Sequence, residues 1–316
     1  MKVLVVDPDF AEQVSDYLRR DFPSLEVITA CNSEEGRALV GDCNVVMALA
    51  MHASEALFLD TPNLEWVQAF SAGVDKFLAM PDLGKLPHLT SAKGVHGPQI
   101  AEITILFMIS QMRDFPRLVR QQDQKKWYRR PGRKLQGRTV TIWGLGTIGT
   151  EIARLAKAFD MSVNAVTRTP RDLAFVDNYF HPDDLEQAVA GTDFLIAAAP
   201  AAGKNIGRLD ASVFTRMRRD SYFINIGRGS LVVEPDLIAA LQSGTIAGAA
   251  LDVASCEPLP PESPLWSMPN VIFTPHIAGM IEEYPDQIYP IIKTNMTHFL
   301  AGKTNRMINR IDPAKT

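Results

Sequence analysis

The stretch Val140-Thr141-Ile142-Trp143-Gly144-Leu145-Gly146-Thr147-Ile148-Gly149 places three glycines in G-x-G-x-x-G spacing, directly after an apolar run and directly before the amphipathic segment Glu151 to Phe159. Strand, glycine turn and helix in that order form the context in which this spacing binds a dinucleotide. Gly144 allows the tight turn, Gly146 lets the backbone approach a pyrophosphate, and Gly149 lets helix and strand pack closely. Thr147 and Ile148 then open a helix whose N-terminus can face the phosphates.

The next apolar run, Ser162 to Thr167, continues as Arg168-Thr169-Pro170-Arg171. An NAD site usually carries Asp or Glu here for the ribose 2′-hydroxyl, and this chain has none. Arg168 and Arg171 can pair with a 2′-phosphate, and Thr167 and Thr169 can donate to it. NADP is therefore expected ahead of NAD, with NAD possible if both arginines are only solvated loop residues.

Further strands are expected at Phe194 to Ala198, Ser221 to Ile226, Ala247 to Val253 and Val271 to Thr274, a total of six in a Rossmann-type sheet. Upstream, Lys2 to Val6, Leu25 to Thr29, Val45 to Ala48 and Trp66 to Phe70 read as strands, alternating with helices at Ala11 to Arg20 and Ser33 to Val40. A chain of 316 residues is long for one core. The expected fold is α/β, with two Rossmann-like or flavodoxin-like domains of parallel strands and a cleft between them. Residues 98–280 would bind NAD(P). Residues 1–97, joined by 281–316 through the returning segment Ile288 to Leu300, would form a discontinuous substrate domain. The segment Ile100 to Ser110 is apolar on almost every side and reads as a buried helix at the boundary. The charged run Arg113 to Arg138 reads as a solvated face.

Composition narrows the partners. A net charge of -4 offers no basic field for nucleic acid. No apolar run approaches the roughly 20 residues of a membrane span. The opening Met1 to Asp7 is too short for a signal peptide, so a cytoplasmic protein is expected. Cys31, Cys43 and Cys256 are odd in number and widely spaced, which signals neither a disulfide framework nor a metal site. His88, His181 and His298 stand alone and read as solvent-facing.

Three strand ends carry the chemistry. Ser221 to Ile226 delivers Gly227-Arg228-Gly229, and a guanidinium there can grip a carboxylate in bidentate fashion. Gly248 to Val253 leads to Glu257, and Val271 to Pro275 delivers His276. A carboxylate bonded to the far nitrogen of an imidazole fixes its tautomer and makes the pair an acid/base device. Met51-His52, after the third strand, is a further candidate to approach a substrate.

With these residues in view, the chain resembles the D-isomer-specific 2-hydroxyacid dehydrogenase family over nearly its whole length. The matching text includes Ser71 to Asp75, Gly94-Val95-His96-Gly97 through Glu102, Trp127, Leu135 to Gly149, Ile224 to Gly229, Leu251 to Val253, Glu257 to Pro260 and Thr274 to Gly279. The resemblance implies that Arg228, Glu257 and His276 bind substrate and transfer the proton. It further implies that Asp252 sits near the nicotinamide carboxamide, and that backbone amides of Ala72, Gly73 and Val74 help hold the substrate carboxylate. Thr167 to Thr169 and Gly94 to Gly97 look like the glyoxylate and hydroxypyruvate reductase branch. A homodimer through the cofactor domain is likewise implied.

Departures are present. Pro200-Ala201-Ala202 replaces the family's frequent Pro-Leu-Thr, so Pro200 remains as a cofactor neighbour while a hydroxyl is missing. Pro275 rather than Gln precedes His276, which argues against formate as substrate, and no regulatory extension is expected after Thr316. Asp75, His96, Glu102 and Trp127 have plainer readings available: a loop cap, a surface imidazole, a polar helix residue and a packing aromatic. The expected activity is NADPH-dependent reduction of a small 2-keto acid to the D-2-hydroxy acid. The alternatives are a dinucleotide-binding corepressor or sensor that kept the fold, or a family dehydrogenase for a bulkier 2-keto acid.

Overall fold

Val3 and Val5 pack into one buried cluster and Leu4 and Val6 into another, so the first strand is covered on both faces. Continuous apolar runs of this kind belong to parallel sheets sandwiched between helices. The computed structural model describes residues 1–59, 61–80 and 88–311. It divides into two compact units, Met1–Val95 with Ile281–Thr316, and His96–Met280.

In the first unit the strands β1 (Lys2–Val6), β2 (Glu26–Ala30), β3 (Val45–Ala48), β4 (Trp66–Ala69) and β5 (His88–Thr90) form one parallel sheet in the order β2-β1-β3-β4-β5. Helices α1 (Ala11–Asp21), α2 (Ser33–Leu39) and the short α3 (Asp75–Leu78) connect them. Asn32 caps α2 by accepting from the Glu35 amide, so one of the helix's orphan donors is satisfied. The C-terminal helix Tyr284–Leu300 buries Tyr284, Ile288, Ile292 and Met296 in the same cluster as Val3, Val5, Val14 and Leu18. The segment that follows the second unit in sequence therefore closes the core of the first. Tyr289 adds hydrogen bonds to the Tyr17 carbonyl and to Asp21.

The second unit begins with α4 (Gly97–Arg113) and α5 (Phe115–Asp123). Its sheet holds β6 (Thr139–Trp143), β7 (Ser162–Val166), β8 (Asn178–Phe180), β9 (Phe194–Ala197), β10 (Tyr222–Asn225), β11 (Gly248–Leu251) and β12 (Val271–Phe273), all parallel. The order is β12-β11-β10-β9-β6-β7-β8. Helices α6 (Thr147–Ala158), α7 (Leu185–Val189), α8 (Ala211–Phe214) and α9 (Glu234–Gln242) lie among these strands in sequence. The order reverses direction at β6 and β9, the topological switch point at which open α/β sheets bind ligands.

Two expectations about strands need correction. The second sheet has seven strands rather than six, because Asn178–Phe180 adds an edge strand beside β7. The first sheet likewise gains His88–Thr90 at its edge. His88 is thus not solvent-facing: it is half-buried in β5, edge-on to the Phe299 ring at 6.2 Å.

Candidate active site

The glycine turn is built as its spacing demands. Gly144 has φ +106, and a Cβ there would lie 2.5 Å from the Ala199 backbone nitrogen. A Cβ on Gly149 would lie 2.0 Å from the Gly144 carbonyl oxygen, so any side chain would force α6 off its strand. Around Gly146 nothing comes within 4 Å of the same position, which leaves room for a bulky anion. Gly146 is also the N-cap of α6 and supplies no side-chain cap, so Thr147 and Ile148 start a helix whose first amides stay available to an acceptor. These features fit a dinucleotide pyrophosphate.

At the end of β7, Arg168 and Thr169 are exposed, and the Thr169 amide bonds to the Thr167 hydroxyl at 3.3 Å. Arg171 behaves differently: its guanidinium donates to the Leu145 carbonyl at 2.5 Å and to the Thr150 hydroxyl at 2.7 Å. It braces the glycine turn, which leaves Arg168 as the arginine with the more open side chain. Pro200 is exposed beyond β9, where its carbonyl accepts from the Ala202 amide and the Asn205 side chain.

Arg228, Glu257 and His276 follow β10, β11 and β12, three adjacent strands whose last residues Asn225, Leu251 and Phe273 stand in register. The ends of all three strands therefore share one edge of the sheet. His276 Nδ1 lies 2.8 Å from Glu257 Oε2. The other Glu257 oxygen accepts from the Ala254 amide at 3.2 Å, which holds the carboxylate toward the ring. His276 has φ +57, a left-handed conformation uncommon for a residue with a Cβ. Its amide is fixed by the carbonyls of Asp252 at 2.8 Å and Thr274 at 3.0 Å.

Asp252 does much of this fixing. Its carboxylate is 2% exposed and accepts from the Thr274 hydroxyl at 2.6 Å, the Ile277 amide at 2.9 Å and the Ala278 amide at 3.0 Å. Burial raises its pKa against the opposing pull of these hydrogen bonds. The residue anchors the turn that presents His276, a contribution not apparent from the chain as text.

Two further residues shape the turn that carries Arg228, and the first of them escaped the reading of the sequence. Asn225, 1% exposed at the end of β10, donates to the Arg228 carbonyl at 3.0 Å and accepts from the Gly227 amide at 3.1 Å, clamping the turn from which Arg228 projects. A buried amide at the end of an apolar strand was the available signal. Gly229 lies so close to the next loop that a Cβ would sit 1.9 Å from the Ala254 carbonyl oxygen. It lets the Arg228 turn pack against the loop that carries Glu257. Arg228 itself donates from Nη1 to the Gly227 carbonyl at 2.8 Å.

His96 and Trp127 differ from their sequence readings. His96 is a half-buried imidazole rather than a surface one: it packs against Gly279, and burial, with the Arg228 charge second, lowers its pKa to about 4. Trp127 does not pack within the chain, being 94% exposed. Asp75 is the first residue of α3 rather than its cap, which is Val74, and Glu102 is an exposed polar residue of α4. In the first unit, Ala72, Gly73 and Val74 form the turn between β4 and α3, with the Ser71 hydroxyl donating to the Gly73 carbonyl at 2.6 Å.

A hollow of about 810 Å³ in the second unit is lined by Arg113, Arg117, Arg120, Tyr128, Arg130 and Arg133 among others, and reaches Tyr222 and Val271, the first residues of β10 and β12, at the strand ends opposite these residues. Among the described residues no cluster of His, Cys, Asp or Glu fits a metal ion, and no helix is long and apolar enough to cross a membrane.

Residues 105–278 match the family described as D-isomer specific 2-hydroxyacid dehydrogenase, NAD binding domain. The chain belongs to that family. Its members are NAD(P)-dependent oxidoreductases, so the protein is an enzyme of that class. A curated relative from Arabidopsis thaliana, named glyoxylate/hydroxypyruvate reductase A, is 32% identical over 290 residues, covering 89% of this chain and 88% of the relative. The crystal structure of a D-isomer specific 2-hydroxyacid dehydrogenase family protein from Aeromonas salmonicida superposes with a TM-score of 0.89 at 31% identity, covering 99% of both chains. An NADPH-dependent glyoxylate/hydroxypyruvate reductase from Sinorhizobium meliloti, solved with NADP and sulfate, gives a TM-score of 0.84 at 26% identity, again covering 99% of both.

Proposed function

We propose that this family member reduces a small 2-keto acid of the glyoxylate or hydroxypyruvate kind to the D-2-hydroxy acid, with NADPH preferred over NADH. The observation that carries the reading is the His276–Glu257 pair at 2.8 Å on the strand edge that also presents Arg228. His276 donates a proton to the C2 oxygen as that oxygen gains charge. Glu257 holds the imidazole by Nδ1, which leaves Nε2 as the donating nitrogen. Arg228 receives the substrate carboxylate and draws electron density from the adjacent carbonyl. The Ala72, Gly73 and Val74 amides are assigned to the acid as well, and Asp252 to the neighbourhood of the carboxamide. A bound reduced nicotinamide supplies the hydride to C2.

The cofactor assignment uses Gly144, Gly146, Thr147, Ile148 and Gly149 for the pyrophosphate, Thr167, Arg168 and Thr169 for the 2′-phosphate, and Pro200 as a neighbour of the cofactor. Arg171 contributes by bracing the turn through Leu145 and Thr150. Support for NADPH comes from the absence of a carboxylate after β7 and from the relative solved with NADP. We place the reaction in the cytoplasm, where reduced dinucleotide is abundant and the free thiols of Cys31, Cys43 and Cys256 are kept reduced. A homodimer is proposed from the exposed apolar side chains of the α4–α5 region, Leu106, Phe115, Leu118 and Val119, together with Trp127.

The deciding experiment follows NADPH and NADH oxidation side by side with glyoxylate and hydroxypyruvate. Turnover with NADPH at a clearly higher kcat/KM is expected. Cofactor binding without turnover of any keto acid would contradict the reading and support a sensor.

A further inference from the structure

Glu257 stands on a loop that burial does not fix. Ala254 is buried, but Ser255, Cys256 and Glu257 are all exposed. One Glu257 oxygen accepts from the Ala254 amide, a bond within the loop that cannot hold the loop against the rest of the molecule. The next amide reaches further: Ser255 N–H donates to Glu234 Oε2 at 3.0 Å. The reaction described above makes no use of Glu234.

Glu234 opens α9, and that helix has a firm base. Its Leu237, Ala240 and Leu241 share a buried cluster with Leu251, Ala254 and Leu259, which flank the loop. Just ahead of it the Val233 amide bonds to the Leu209 carbonyl at 2.9 Å, and Asp236 in the first turn accepts from the Ala211 amide at 2.9 Å. A carboxylate at the first position of a helix commonly serves the helix itself, through the macrodipole or the orphan amides. Here, among the described residues, the hydrogen bond of the Glu234 carboxylate goes to Ser255 instead.

The peptide that Glu234 holds is one the Arg228 turn already touches. A Cβ on Gly229 would lie 1.9 Å from the Ala254 carbonyl oxygen and 2.5 Å from the Ser255 nitrogen, so Gly229 packs against the Ala254–Ser255 peptide. Glu234 bonds the N–H of that same peptide. The contact limits how closely the loop approaches, and the charge-assisted hydrogen bond limits how far it lifts away. With both in place Glu257 Oε2 meets His276 Nδ1 at 2.8 Å.

We propose that Glu234 is a positioning residue for proton delivery: its carboxylate pins the Ala254–Ser255 peptide against Gly229 and so keeps Glu257 opposite His276. The inference rests on the proposed reduction of 2-keto acids and adds a residue to it. Without the bond the loop keeps its contact with Gly229 but loses the restraint that stops it lifting, and His276 spends part of its time without its partner. The loss falls on kcat. Arg228, whose turn is clamped by Asn225, goes on receiving the substrate acid, so KM changes little.

The test compares kcat and KM for glyoxylate and hydroxypyruvate with NADPH in the wild type, Glu234→Gln and Glu234→Asp. Turnover is counted per NADPH-binding site, titrated by nicotinamide fluorescence, so any loss of folded enzyme cancels. Gln keeps the reach and an accepting oxygen but no charge, whereas Asp keeps the charge at the helix start and falls short of Ser255. Because the bond is exposed to solvent, Glu234→Asp is expected to lose about tenfold in kcat, with KM within about threefold of wild type. Glu234→Gln should stay within about threefold in both. In a Glu257→Ala background Glu234→Asp should cost less than about twofold more, because the group it positions is gone. Wild-type kcat in Glu234→Asp overturns the inference and leaves the reductase reading standing. So does an equal loss in Gln and Asp, which would mark a charge effect, or a full tenfold loss repeated in the Glu257→Ala background. Turnover of neither substrate by the wild type overturns the reductase reading and this inference with it.

Discussion

At the scale of single residues, the imidazoles of this chain show how environment assigns roles to identical groups. His276 is held by Glu257, His52 by Asp7, and His96 has its pKa lowered to about 4 by burial first and the Arg228 charge second. The unfolded ring titrates near the ordinary histidine value of about 6.5, so between that pH and about 4 the unfolded chain binds a proton that the folded one refuses. Folding stability from this group is thus complete above about pH 6.5 and is lost as the pH falls toward 4, by up to about 3 kcal/mol. Thermal melts of the wild type and His96→Gln from pH 7 to 4 should show the variant losing less stability on acidification; parallel curves would refute the assignment. The sequence could not reveal this, because burial of His96 depends on Gly279, which lies far along the chain. Trp127 illustrates the opposite error, since an aromatic residue in a basic run invites a packing role that the fold does not provide.

Among elements, the long central strands were readable because unbroken apolar runs such as Val140 to Trp143 have few other solutions than a buried parallel strand. β5 and β8 were not. Each has three residues, mixes polar with apolar side chains, and lies at the edge of its sheet, so neither length nor burial leaves a periodic trace. The His276–Glu257 pair was legible as residue types at strand ends, whereas the close packing of the loops that carry Arg228 and Glu257 was not. That packing depends on Gly229, where a Cβ would overlap the Ala254 carbonyl. Gly229→Ala should therefore lose about 1 to 3 kcal/mol in urea unfolding and, in the protein that remains folded, show a reduced kcat/KM. Wild-type values for both would mean that the two loops are positioned independently.

For the whole molecule, a discontinuous first unit means that its core is completed only after the second unit has been traversed, by Tyr284, Ile288, Ile292 and Met296. The helix Tyr284–Leu300 was visible as the amphipathic segment Ile288 to Leu300, whose return to the first unit was expected because it follows the last strand of the second. Assembly is the least legible level, because exposed Leu106, Phe115 and Trp127 identify a surface and not its occupant. Light scattering after size exclusion should give about twice the 34.9 kDa chain mass, and Trp127→Ser with Phe115→Ser should shift it toward the monomer; a wild-type monomer would refute the dimer. The central chemical claim is that His276 delivers the proton. The most direct measurement is kcat for glyoxylate and hydroxypyruvate reduction by His276→Asn, with NADPH binding followed in parallel by nicotinamide fluorescence. The account predicts a loss of about 10²- to 10⁴-fold in kcat with cofactor binding retained, and full turnover by that variant would contradict it.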